Sequence, residues 1–299
     1  MLFSINGENL GWYLEHFSIR KLEERDIDFA YKMTVVEKWN DRVEDIHRML
    51  GYEPNGCFMA EADGRRAGHV FTVGYGKLGW IGLLIVKADY RRMGISRLLM
   101  EKAENYLLSQ GVETIKLEAV PEISNLYRTL GFEDEYDSSR FMGTCRNISS
   151  SENASISLAQ QKDMGELARF DAEYFGANRE RVLTGLYQAN PRLCLVSHIK
   201  SEIVGYIICR RALRGFKVGP WVCDTENPQA ARRLLIECMN RLEAGAEVYV
   251  GVPAVNETAV KILQELGFEQ FSKSIRMRLG KEFKECVKGV FAIGDPMKG

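Results

Sequence analysis

The chain lacks a long apolar run, a basic leader, paired cysteines and any sizeable net charge, and each lack removes a class of protein. No stretch approaches the roughly 20 apolar residues of a membrane span. The segment Met1 to Phe17 carries Glu8 and Glu15 and no basic start, so it does not read as a secretory signal. The seven cysteines are odd in number and form no Cys-x-x-Cys, which indicates neither a disulfide framework nor a zinc site. Several sit in apolar runs, as Cys194 does in Leu193-Cys194-Leu195-Val196. They read as buried, reduced thiols of a cytoplasmic protein that holds no metal. A formal charge of −1 gives no reason to expect nucleic acid or an anionic membrane as partner.

What is there is an ordinary globular composition, 45% hydrophobic and 27% charged. A length of 299 residues exceeds one usual domain and predicts two, each of roughly 150 residues.

The most informative stretch lies between positions 80 and 107. An apolar run, Trp80-Ile81-Gly82-Leu83-Leu84-Ile85-Val86, leads into a basic turn carrying Arg91, Arg92 and Gly94. Beyond it Ile95, Leu98, Leu99, Ala103, Tyr106 and Leu107 recur at helical spacing. The order is buried strand, tight turn, amphipathic helix. Such a turn turns unpaired backbone N–H groups and the positive end of a helix dipole toward one spot, which suits a pyrophosphate. No Gly-Lys-Ser/Thr ending follows Gly94, so it is not a Walker loop. A single glycine excludes the three-glycine dinucleotide fingerprint.

The remaining pattern, Arg91-x-x-Gly94-x-Ser96, resembles the Gln/Arg-x-x-Gly-x-Gly/Ala loop of the GNAT acyl-CoA N-acyltransferases. Downstream, the strand-like Thr114-Ile115-Lys116-Leu117-Glu118-Ala119 precedes Leu126-Tyr127-Arg128-Thr129-Leu130-Gly131-Phe132. The latter resembles the family's Leu-Tyr-x-x-x-Gly-Phe signature, a helix that ends at a glycine cap. The resemblance implies acetyl-CoA as co-substrate and a small amine or a peptide N-terminus as acceptor. It places the pyrophosphate on Arg91, Arg92, Met93, Gly94, Ile95 and Ser96. The pantetheine arm would pair like an added strand with Leu84, Ile85 and Val86, near whose amides the thioester carbonyl is polarised. Tyr127 becomes the general acid for the departing thiolate in a direct attack, since an ordinary phenol is protonated at neutral pH.

Other roles are less constrained. Glu118 is the first choice for general base, with His69 and Glu37 as others, and a base acting through water or an amine that arrives neutral as equal alternatives. Glu37, Trp39 and Asn40 fall where family members shape the acceptor entrance. Trp39 either walls an apolar acceptor, covers a cationic one, or anchors the core. The family's asparagine seven residues before the tyrosine is Val120 here, followed by Pro121, so one cofactor contact is either missing or supplied by Asn125. A non-catalytic acyl-CoA-binding module and a transferase for longer acyl groups are the rival readings. Both a monomer and a homodimer fit the sequence.

The second half repeats the first at an offset of 136 residues: Val86 maps to Val222, Leu98-Leu99 to Leu234-Leu235, Leu130-Gly131-Phe132 to Leu266-Gly267-Phe268. The polar stretch Ser149 to Asn153 reads as linker. The expectation is a mixed α/β fold (α+β with a mixed sheet) of two tandem GNAT domains, catalytic over 1–148 and degenerate over 153–299. In the second repeat the loop has become Asn227-Pro228-Gln229-Ala230-Ala231-Arg232, without the glycine and with Pro228 removing a donor. Leu263 stands where Tyr127 stands in the first, while Asn256 and Ala259 keep the family's Asn-x-x-Ala helix start.

Overall fold

The computed structural model describes residues 17–146, 148 and 155–299. The leader segment up to residue 16 and the linker Ser149–Asn153 lie outside them. The expected mixed α/β fold with a mixed sheet is observed. The chain forms two compact units that do not coincide with the two sequence repeats.

The first unit holds the residues up to Gly74 together with Ile81–Gly111. Its elements are β1 (Phe17–Lys21), α1 (Ile27–Val36), α2 (Val43–Tyr52), β2 (Phe58–Ala62), β3 (Arg65–Tyr75), the second part of β4 (Leu78–Val86) and α3 (Ile95–Ser109). The strands neighbour one another in chain order. Asp63 and Gly64 take φ of 48° and 71° at the β2–β3 turn, as an Asp-Gly hairpin requires. The α3 face predicted from spacing is buried at Ile95, Leu99, Ala103 and Leu107, with Met100 added. Burying Ile95, Leu99, Met100 and Leu107, each contributing roughly 1.5–3 kcal/mol, fixes this helix far more firmly than its intrinsic propensity does.

The second unit takes Tyr75–Trp80 and everything from Val112. It contains β5 (Thr114–Ala119), α4 (Ser124–Thr129), β6 (Glu133–Thr144), β7 (Ser155–Leu158), α5 (Met164–Phe175) and α6 (Glu180–Ala189). These are followed by β8 (Cys194–Ile199), β9 (Glu202–Arg211), β10 (Phe216–Cys223), α7 (Pro228–Asn240), β11 (Glu247–Pro253), α8 (Glu257–Glu265), β12 (Glu269–Gly280) and β13 (Val290–Ala292). Leu78–Trp80 of β4 pair in parallel with Thr114–Lys116 of β5. From β5 the strand order is β12, β6, β11, β10, β9, β8, β7, with β13 attached to β10.

This order contains an exchange. β6 and β12 occupy the same place in their repeats, yet β12 pairs with β5 of the first repeat and β6 with β11 of the second. The two then pair antiparallel with each other. Each closing strand thus covers an edge that the other repeat would otherwise expose. Around β10 the core is Trp221, Phe291, Leu234, Leu235, Val250 and Leu263, all buried.

Candidate active site

The turn between β4 and α3 is built by two left-handed residues, Arg92 at φ 65° and Gly94 at φ 79°. Gly94 is the N-cap of α3, and its carbonyl accepts from the amides of Arg97 (3.0 Å) and Leu98 (3.2 Å). The amides of Gly94, Ile95 and Ser96 find no acceptor among the described residues. Three successive free donors at the positive end of a 15-residue helix form an anion cradle. The Arg91 side chain serves the turn itself: its Nε donates to Val86 O at 2.9 Å and its Nη2 pairs with the Glu37 carboxylate. The cradle is therefore backbone, with the exposed Arg92 and Met93 on its rim.

Within β4, Leu83 has φ 51°, a costly conformation for a branched side chain inside a strand. Nothing in the local sequence signals this irregularity beyond Gly82. The strand then continues through Leu84, Ile85 and Val86, of which Ile85 is buried and the others are partly so. Gly68 makes room for it, since a Cβ there would lie 2.7 Å from Ile85 O.

His69 lies fully buried, edge-on to Phe29 (6.3 Å) and Phe71 (5.6 Å). Burial pushes its imidazole down to about 4, against the weaker pull of the Leu83 and Ala30 backbone. No hydrogen bond of normal geometry reaches either ring nitrogen. It is neutral at pH 7 and shut away from solvent, so it does not act as the base. Glu37 follows α1 and is engaged with Arg91. Trp39 is half-buried, its amide donating to Thr34 O at 2.9 Å, and Asn40 beside it is half-buried too. Val36 is 68% exposed, which leaves the end of α1 apolar and open.

In the second unit, Tyr127 lies on α4 with only 5% exposure, packed edge-on against Phe132 at 6.0 Å. Burial pushes its phenol well above the ordinary tyrosine value, so it stays protonated throughout the neutral range. Its hydroxyl has no hydrogen-bond partner among the described residues. Asn125 is placed nearby in sequence, but its Oδ1 accepts from Arg128 Nη1 at 2.7 Å. Arg128 is itself held by Asp134 through Nε (3.0 Å) and Nη2 (2.6 Å). The Asn125 carbonyl oxygen is accordingly committed to the helix.

Glu118 is in a different state from the one a base requires. Its side chain is fully buried and accepts from Arg276 Nε (2.7 Å), Ser138 Oγ (3.0 Å) and Ser274 Oγ. Burial by itself raises its carboxyl, but the Arg276 and Arg140 guanidiniums and the Ser274 hydrogen bond outweigh this and the net direction is down. Arg276 lies between the Trp80 ring (4.5 Å) and the Tyr136 ring (5.2 Å). Glu118 is thus the anion that ties β5 to the exchanged strands β6 and β12. A carboxylate so saturated with donors is a poor proton acceptor.

The equivalent turn of the second repeat is closed. Asp224 Oδ1 accepts from the Glu226 amide (3.0 Å), its Oδ2 from Asn227 Nδ2 (2.8 Å), and its carbonyl from the Asn227 amide (3.0 Å). Pro228 has no N–H to offer. No cluster of three or more metal-ligating side chains occurs among the described residues, and no helix there is long and apolar enough to cross a membrane.

Comparison with known proteins identifies the class. Residues 17–132 match the model of the acetyltransferase (GNAT) family, and residues 167–292 match a second model, an acetyltransferase (GNAT) domain. The chain belongs to the GNAT acyltransferases, as a tandem member and an enzyme. It is 23% identical to holothin acyltransferase of Pseudoalteromonas sp. over 87% of this chain and 86% of that one. It is 24% identical to the uncharacterized N-acetyltransferase YitH of Bacillus subtilis, over 84% and 87%. Among solved structures, an acetyltransferase from Pyrococcus horikoshii superposes with a TM-score of 0.81 at 25% identity, covering 95% of this chain and 96% of that one. A tandem GNAT protein from the clavulanic acid biosynthesis pathway shares the fold alone, with a TM-score of 0.60 at 11% identity over 90% and 100% of the two chains.

Proposed function

We propose that the chain transfers an acetyl group from acetyl-CoA to the primary amine of a small molecule or a peptide N-terminus, by direct attack. Three free amides at Gly94, Ile95 and Ser96, on the positive end of α3, carry this reading. Their chemistry suits a diphosphate, and no carboxylate among the described residues caps them. Acetyl-CoA supplies the activated acyl carbon and a thiolate leaving group. In this reading the backbone of Leu84, Ile85 and Val86 aligns the pantetheine arm, and an amide of that strand stabilises the oxyanion as the amine nitrogen bonds to the acyl carbon. As the carbon–sulfur bond breaks, Tyr127 gives its proton to the sulfur. Its raised phenol guarantees a proton to give. Arg91 acts as the turn's brace through Val86 O and Glu37, while Trp39 and Asn40 border the acceptor. The first repeat, 1–148, carries the chemistry and the second, 153–299, completes the sheet.

Glu118 takes no proton step in this proposal, because its lone pairs are occupied. The attacking amine arrives neutral or yields its proton to water. The engagement of Glu118 and the burial of His69 are also what favours a binding module without turnover. Release of free CoA thiol with a panel of amines separates the two: the transferase reading expects turnover with at least one amine class. Tight acetyl-CoA binding with no turnover across a broad panel would sink it.

A further inference from the structure

β10 pairs in parallel with β11 over Phe216–Val218 and Val248–Val250, the first half of its length. Over its second half it takes β13, with Trp221 opposite Ala292 and Val222 opposite Val290, antiparallel. On its far side the same segment reaches β11, where Ile293 N donates to Gly251 O at 2.9 Å. Residues 290–293 are therefore inserted between β10 and β11. Trp221 and Val222 stand 136 positions after Ile85 and Val86, the residues assigned above to the pantetheine arm.

The surroundings fit this insertion. Asn256 Nδ2 donates to the carbonyls of Lys288 (2.9 Å) and Val290 (3.0 Å), while its Oδ1 caps α8 at the Ala259 amide. Phe291 packs on Trp221 with ring centroids 5.1 Å apart, both buried. Gly219 has φ 147° and shares its repeat position with Leu83, so both strands carry a positive-φ residue there. A Cβ on Gly219 would lie 2.0 Å from Ile293 O, and one on Gly251 3.2 Å from Ile293 Cγ1. Asp295, just beyond, pairs with the buried Arg210 and pins the end of the segment. A pantetheine arm and a peptide strand present the same groups to a sheet, amides that extend its ladder.

We infer that β13 is the resident occupant of the second repeat's cofactor groove, a strand of the chain's own in the place that the first repeat keeps for a pantetheine arm. One chain consequently takes up one acyl-CoA. The inference rests on the acyl-CoA reading of the first repeat.

Titration calorimetry of the full chain with acetyl-CoA, paired with amide hydrogen exchange, tests it. The expected stoichiometry is one. Addition of acetyl-CoA should slow exchange in residues 84–86, whereas residues 221–223 and 290–293 should be slow beforehand and unaffected. A stoichiometry of two, or protection of 221–223 that arises only with acetyl-CoA, overturns the inference and leaves the first-repeat reading standing. A stoichiometry of zero sinks that reading and the inference together. The variant Asn256→Ala, which removes two clasping hydrogen bonds, should speed exchange of 290–293 by about 10-fold or more. An unchanged rate there would overturn the role of Asn256 as the clasp. Should the variant fail to fold, the wild-type measurements still decide.

Discussion

At the turn after β4 the amides of Gly94, Ile95 and Ser96 have no acceptor among the described residues, whereas at the turn after β10 Asp224 gathers local donors and Pro228 deletes one. The strand and the helix around each turn are the same; the difference is a handful of side chains. A free helix N-terminus costs stability unless something satisfies it. In the second repeat Pro228 has no donor, the Ala230 amide bonds to Asn227 O at 2.9 Å, and Asp224 takes the Glu226 amide just before the helix. The first leaves its donors open toward solvent, the feature on which the proposed diphosphate site rests. Further into the repeats the contrast continues, with Tyr127 against Leu263 and Glu118 against Ala254.

The contrast is breakable at five points. The largest effect belongs to Glu118→Ala, which strands Arg276 as an uncompensated buried charge and should cost about 3–5 kcal/mol in denaturant unfolding. Folding lowers the Glu118 carboxyl, so its contribution is complete above the unfolded value of about 4.3 and is lost as pH falls through the folded one. Thermal melts should show the gap between wild type and Glu118→Gln constant above about pH 6 and shrinking in acid. A gap that widens in acid would contradict the assignment. Next, Gly94→Glu forces a side chain into φ 79° and sets a carboxylate beside the cradle. Calorimetry should register acetyl-CoA binding weakened by about 10³-fold.

Tyr127→Phe keeps the packing on Phe132 and removes only the proton. Steady-state kinetics should give kcat down roughly 10²-fold with acetyl-CoA affinity unchanged; an equal loss of affinity would mean the ring, not the hydroxyl, matters. Arg91→Ala frees Glu37 and slackens the turn, and about a 5-fold weaker acetyl-CoA affinity is expected, since this exposed pair carries roughly 1 kcal/mol. The smallest effect sharpens the comparison from the other side. Asp224→Asn uncaps the second turn at a cost of about 1 kcal/mol, and the number of acetyl-CoA bound per chain should not change.

The strand, glycine turn and helix over residues 80–107 were legible because they are local patterns, and so was the Asp63–Gly64 hairpin. The internal repeat was legible for the same reason. Glu118 was not, because its residue type and strand position fit a base as well as they fit an ion-pair anchor. The partner that decides, Arg276, is 158 residues away in sequence. The exchange of closing strands was hidden by its own symmetry. Ser138 and Ser274 share a repeat position, as do Arg140 and Arg276, so either strand satisfies the pattern at either place. Nor does sequence position show that the Asn125 Oδ1 accepts from its neighbour Arg128. β13 is only three residues long and follows β12, the last strand with a counterpart in the first repeat, where no periodicity marks it.

A duplicated gene commonly sheds the copy that has lost its chemistry. Here the final strand of each copy is stitched into the sheet of the other, so cutting the chain at the join would leave two fragments with raw strand edges that must find one another before either is whole. Each copy supplies the staves that the other lacks.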